Sequence, residues 1–129
     1  PSLELITLNC LTACNGVIVP IQCEFYALEG LSQLVQTINL VKKNLNPEIK
    51  IEGVLLTMFD KRTNLSLQVV EEVRTNFNGN VFETVIPRNI RLSEAPSFGQ
   101  SIFAYAPDCS GAMAYKDLAD EIIKIDNGK

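Results

Sequence analysis

The sequence has no histidine, and its 11 lysines and arginines are outnumbered by 15 acids. Without an imidazole, no Ser-His or Cys-His nucleophile pair can be assembled, and no serine sits in a nucleophile-elbow pattern. A net charge of −4 argues against a free-standing nucleic-acid module, which is normally basic. A local cationic cluster remains compatible with it, because a field depends on where charges sit. Only four cysteines are present, Cys10, Cys14, Cys23 and Cys109. A zinc site would need all of them across a wide gap, so buried or half-buried free thiols in a reducing, cytoplasmic setting are expected instead. No apolar run is long enough to span a bilayer, and no secretory leader is read. No GxxxxGK[ST] loop occurs, so no polyphosphate cradle is read from the sequence. Taken by itself the chain is expected to be inert as an enzyme.

What is there suits one modest α/β domain. Of 129 residues, 47% are hydrophobic and 20% charged, too apolar for disorder. Residues 3–13 carry leucines at 5, 8 and 11, a helical spacing. VIVPI at 17–21 is β-branched throughout and reads as a strand covered on both faces, with Pro20 marking its end. Residues 26–45 keep a stripe of Leu31, Leu34, Val35, Ile38, Val41 and Leu45, stopped by Asn46-Pro47. IKIEGVLLTMF at 49–59 is the second buried strand. After the polar loop 60–66, with Asn64 or Ser66 as cap, a helix presents Leu67, Val70, Val73 and Phe77. VFETVIP at 81–87 is the third strand. An irregular stretch follows, and 111–125 is a last helix packing Met113, Leu118, Ile122 and Ile125. Strands alternating with helices predict a mostly parallel sheet with helices on both faces.

In such folds ligands bind beyond the carboxyl ends of the strands. Three segments emerge there. The first offers Gln22 and Glu24, which either touch a ligand or sit in a solvated loop. The second offers Asp60, Lys61, Arg62 and Asn64, with Met58 and Phe59 as an apolar wall for a planar base. The third, PRNIRLSEAP at 87–96, is the densest: Arg88 and Arg91 flank Asn89 on a loop stiffened by Pro87. Those arginines suit phosphate or an acidic partner, or else an internal pair with Glu94. Five cations between Lys61 and Arg91 face three acids there, so any anion-binding surface is expected in the middle third.

Several long segments, in order, carry a resemblance. PSLELITLNCLTAC, VIVPIQCEFYALEGLSQL, IEGVLLTMFDKRTNLSLQVVEEVR, VIPRNIRLSEAPSFGQSI and GAMAYKDLADEI together resemble the ParA/Soj chromosome and plasmid partition ATPases, relatives of the MinD-type deviant Walker ATPases. The resemblance implies a P-loop NTPase-like α/β fold. Pro1-Ser2 resembles the tail of that family's Walker B element. On this reading the whole chain, 1–129, is the C-terminal part of such an ATPase domain, lacking the Walker A loop, switch I and the Walker B aspartate. The complete protein is then expected to bind ATP and Mg, dimerise, bind DNA without sequence preference, and answer to a ParB-type centromere-binding partner. The chain alone is expected to hold neither ATP nor Mg well.

The resemblance also implies site roles. Arg62 and Arg91 match arginines that contact the DNA backbone. Met58, Phe59, Pro87, Arg88 and Asn89 match the border of the adenine, with Met58 standing where MinD-like relatives often use Asn. Gln22 and Glu24 fall near the dimer or nucleotide side. No catalytic residue and no metal ligand is assigned. A cytoplasmic, nucleoid-associated location follows, with no membrane partner. Where the family usually reads Tyr-Asp-Pro-Arg-Ser-Arg-Gly-Ala, this sequence has YAPDCSGA, with Asp108 and Ser110 in place of the basic pair. A truncated interaction domain and a MinD-like protein acting at a membrane are the alternatives. The acidic end DLADEIIKIDNGK disfavours the second, since a membrane-surface helix is normally basic.

Overall fold

Three apolar runs become three strands of one parallel sheet. In the computed structural model, which describes residues 4–128, β1 is Gly16–Gln22, β2 is Lys50–Phe59 and β3 is Val81–Pro87. They are hydrogen-bonded in the order β1-β2-β3, with Gln22 opposite Thr57 and Phe59 opposite Pro87 near their carboxyl ends. The helices are α1 (Leu5–Ala13), α2 (Ala27–Asn44), α3 (Asn64–Asn76), α4 (Ile90–Glu94), α5 (Ile102–Tyr105) and α6 (Ser110–Asn127), with a 3-10 turn over Ala95–Phe98. The expected order of helices and strands and the parallel α/β class are both found.

Alternation along β2 divides the core. Val54 and Leu56 join Val19, Leu31, Ile38, Val41 and Val73 on one face, under α1, α2 and α3. Leu55 faces the other way and joins Phe82, Ile86, Ala114 and Leu118, under α6. Each buried Val, Leu, Ile or Phe side chain among them contributes about 1.5–3 kcal/mol relative to exposure. This two-sided clamp on β2 and β3 fixes where their carboxyl ends emerge.

The structure corrects several expectations. β1 is covered on one face only: Val19 is buried while Ile18 is 41% exposed, because α6 packs against β3 and leaves β1 bare on that side. Pro20 does not end the strand, which runs on to Gln22; an edge strand tolerates the missing N–H. In α3, Leu67 is exposed and the buried set is Ser66, Val69 and Val73. A 66-69-73-77 stripe follows helical phase better than 67-70-73-77, but Ser66 hides it from any count of apolar residues. The α3 cap is Thr63, whose Oγ1 accepts from the Ser66 N–H at 3.3 Å, and neither Asn64 nor Ser66. In α6, Met113 is exposed, and Gly111, Ala112 and Ala114 are buried instead. Their small size admits close packing: a Cβ on Gly111 would lie 2.6 Å from Leu92 Cγ. Leu5 and Leu45, placed on inner stripes, are exposed. The stretch after Ser93, expected to be irregular, holds the end of α4, the 3-10 turn and α5. Residues 1–3 lie outside the described residues, so the reading of Pro1-Ser2 falls there too.

The thiols are unpaired, but not all covered. Cys23 is buried, Cys14 and Cys109 are half-buried, and Cys10 is exposed, against expectation. Burial pushes the Cys23 thiol up to about 11.

Candidate functional site

Pro87 and Phe59 stand opposite each other at the last rung of the β2–β3 ladder. The Arg88 N–H donates to the Phe59 carbonyl at 2.9 Å, carrying the pairing one residue into the loop. β2 and β3 do not keep step here. Between Leu56 and Phe59 the chain spends one more residue than between Val85 and Pro87. Met58 lies in that bulge with a φ of 54°, the only non-glycine residue with positive φ among the described ones. A left-handed φ on a long side chain is strained, and such bulges re-aim side chains at strand ends.

Beyond the rung lies a cleft of about 360 Å³ lined by Phe59, Asp60, Lys61, Arg62, Pro87, Arg88 and Ser110. It has two apolar faces, three cations and one acid. Ser110 arrives from the start of α6 and is held by the Asn89 side chain, whose Nδ2 donates to Ser110 Oγ at 2.8 Å. Asn89 also caps α4, its Oδ1 accepting from the Arg91 N–H at 2.8 Å. Phe59, Pro87 and Arg88 line the cleft itself. Asn89 acts one step back, through Ser110, and Met58 is next to the lining without being part of it. Lys61 and Asp60 were legible as loop polarity. Ser110 was visible only as a departure from the family's basic pair.

The two arginines assigned to DNA are both ion-paired. Arg62 lies back on Asp60: its Nε donates to Oδ1 at 2.9 Å and an Nη to Oδ2 at 2.7 Å. Asp60 is well anchored, because its own N–H donates to Ser66 Oγ and its Oδ1 also accepts the Arg62 N–H. The side-chain hydrogen bond from Arg62 holds the Asp60 carboxyl well below the usual carboxylate range. Arg91 donates to Glu94 Oε2 at 3.1 Å, and the Tyr105 hydroxyl donates to the same oxygen at 2.8 Å. The Tyr105 hydrogen bond lowers the Glu94 pKa, against a smaller effect of desolvation, with Arg91 adding to the lowering. Phe98 stacks on Tyr105 at 5.2 Å and stiffens the arrangement. The internal pair foreseen for Arg91 thus exists, and Arg62 has an equivalent that was not foreseen. Both arginine side chains stay largely in solvent, 81% exposed for Arg62 and 55% for Arg91.

Gln22 and Glu24 lie apart from this cleft. With Pro20, Phe25, Tyr26 and Leu65 they line a broad open groove at the end of β1. A further cavity, about 280 Å³, opens at the amino ends of the strands beside Ile122 and Ile125. By the strand-end rule it is on the wrong side of the sheet for the ligand. Among the described residues no group of three His, Cys, Asp or Glu side chains could hold a metal ion, and no helix is long and apolar enough to cross a membrane.

Known proteins were compared with the chain. The sequence model of the AAA domain matches residues 1–51. The sporulation initiation inhibitor protein Soj of Bacillus subtilis is 60% identical over 122 residues, 95% of this chain and 48% of that protein. The chromosome partitioning protein ParA of Myxococcus xanthus is 57% identical over 129 residues, all of this chain and 46% of that one. Over nearly its whole length the chain is similar to the ParA and Soj partitioning proteins. It spans about half the length of the curated relatives it matches. Among solved structures, cobyrinic acid a,c-diamide synthase of Mycobacterium smegmatis, with ADP and magnesium bound, superposes with a TM-score of 0.77 at 35% identity, over 100% of this chain and 46% of that one.

The ParA/Soj likeness stands, but the expectation of a C-terminal portion alone, without the nucleotide-binding part of a P-loop NTPase-like fold, does not. The AAA domain match at residues 1–51 overturns that separation. The expectations that hung on it go as well: that this chain is inactive on its own, and that it holds ATP and Mg poorly.

Proposed function

We propose that the complete protein is a ParA/Soj-type partitioning ATPase. It binds ATP with Mg, forms an ATP-dependent homodimer, binds duplex DNA without sequence preference, and works in the cytoplasm on the nucleoid with a ParB-type centromere-binding partner. The observation that carries this reading is the ordered identity of 50–60% to ParA and Soj proteins across 95% or more of the chain. The solved relative with bound ADP and magnesium has the same fold, which supports a nucleotide on this scaffold.

The cleft suits the base of that nucleotide. Phe59 and Pro87 offer apolar faces, and Arg88 and Lys61 stand at the rim. Met58 shapes the strand end, and Asn89 fixes Ser110. Magnesium would neutralise phosphate charge when bound. The cleft residues hold and orient the base. Gln22 and Glu24 lie at the next strand end and are placed on the dimer or nucleotide side.

DNA is assigned to Arg62 and Arg91. They follow adjacent strands at the same end of the sheet, and both side chains are largely exposed. That explains how a chain of net charge −4 binds a polyanion: only one surface need be positive. Phosphate contacts are salt-dependent and indifferent to sequence. The test is a salt titration of DNA binding by the ATP-bound, hydrolysis-blocked dimer. Arg62→Ala and Arg91→Ala should each weaken binding on every sequence and lower the slope of log affinity against log salt by roughly one unit or less per subunit. An unchanged slope and affinity would remove that arginine from the DNA site.

A further inference from the structure

The two ion pairs have the same construction. In each, an exposed arginine reaches back to a less exposed carboxylate, on a residue that makes a further hydrogen bond, by its backbone in Asp60 and by its carboxylate in Glu94. Asp60 is fixed by Ser66 through its backbone and is itself mostly covered, 18% exposed against 81% for Arg62. Glu94 is fixed by Tyr105. The acids are therefore anchored and the cations are the mobile partners. The Arg62 guanidinium also turns its Nε edge, the edge best shaped for two parallel bonds to an oxyanion, onto Asp60 rather than outward.

The geometry points to Asp60 and Glu94 as internal competitors of DNA phosphate, which set how tightly the surface binds; this inference rests on the DNA assignment of Arg62 and Arg91 proposed above. Asp60 occupies two side-chain donors of Arg62 and Glu94 one of Arg91, and each offsets the charge a phosphate would meet. An arginine must leave its acid, or share its donors, to take a phosphate. Exposed pairs of this kind are weak, so DNA can displace them, at the cost of part of its affinity. Such attenuation suits a protein that must release DNA readily. It also keeps the net field low while the donors remain within reach.

The experiment uses the complete protein, held as a dimer with a non-hydrolysable ATP analogue, and random-sequence duplex DNA over a salt series. Asp60→Asn keeps an acceptor for the Arg62 N–H and removes the charge. Glu94→Gln keeps an acceptor for Tyr105. Each should tighten DNA binding by about two- to fivefold per subunit, the range that weak surface pairs span, and steepen the salt slope. In an Arg62→Ala background, Asp60→Asn should add little. Binding that is unchanged or weaker in both acid variants, while Arg62→Ala and Arg91→Ala still weaken it, overturns the inference and leaves the DNA assignment standing. An equal gain from Asp60→Asn with and without Arg62 also overturns it, because the effect is then one of net charge alone. No effect from either arginine variant removes the DNA assignment and the inference together. Glu94→Gln keeps the test open should Asp60→Asn fail to fold.

Discussion

Glu121 of α6 should be worth about 2 kcal/mol to the fold, because it repairs a break in the sheet. Between Val54 and Leu56 of β2, β3 runs from Val81 to Val85, so β3 carries two extra residues and its amides there lose their partners. Glu121 Oε1 accepts the Glu83 N–H at 2.7 Å and Oε2 accepts the Thr84 N–H at 3.0 Å. Hydrogen bonds to a charged group contribute roughly 1.5–3 kcal/mol each at most. Glu83 is exposed and Thr84 half-buried, so water can replace part of that, and the sum falls to about 2 kcal/mol for Glu121→Ala. Glu121→Gln, which keeps one acceptor oxygen, should cost about half as much. In urea, where m is about 2 kcal/mol/M for a small domain, the alanine variant should unfold about 1 M earlier.

The pH dependence has a definite sign. Desolvation raises the Glu121 pKa, but the hydrogen bonds from Thr84 and Glu83 outweigh it and leave the carboxyl lowered. A lowered carboxyl stabilises above its unfolded pKa, and that contribution is lost as pH falls through the folded value. The gap between wild type and Glu121→Gln should be complete at neutral pH and shrink below about pH 4. A gap under about 0.5 kcal/mol at neutral pH, or one that does not shrink in acid, would refute the reasoning. The same clamp holds β3 under α6, and so sets where Pro87 and Arg88 emerge.

Met58→Asn should raise stability by about 0.5–1 kcal/mol in thermal or urea unfolding, since Asn tolerates the left-handed backbone far better; a loss of stability would mean the thioether packs usefully despite its strain. Gly53→Ala should destabilise by about 1–3 kcal/mol, because its Cβ would lie 2.6 Å from the Phe82 ring and 2.8 Å from Asn80 Nδ2; an unchanged unfolding midpoint would show that the buried ring can move.

The strands and their order were legible because β-branched runs and turn residues mark them locally. The covering of β1 was not. An apolar run reads the same whether one face or two are packed, and only the placement of α6 against β3 decides it. Stripes failed where a polar or small residue took a core position, as Ser66 and Ala114 did. The cleft was partly legible, since strand-end loops could be found from pattern alone. Ser110 joins it through Asn89, across a turn of chain that no local spacing predicts. The pairing of Arg91 with Glu94 followed from helical proximity. That of Arg62 with Asp60 is as local, two residues apart, but it needs the loop to turn so that the carboxylate meets both the Arg62 N–H and its guanidinium, which charge spacing alone does not mark.

The proposed nucleotide site holds the base between the ends of β2 and β3. Photo-cross-linking of the complete protein with 8-azido-ATP, followed by peptide mapping, tests it most directly, because the reactive group is on the base. Label is predicted within residues 58–62 or 87–89, and excess ATP should suppress it. Suppressible label confined to other segments, the groove at 20–30 included, would contradict the account.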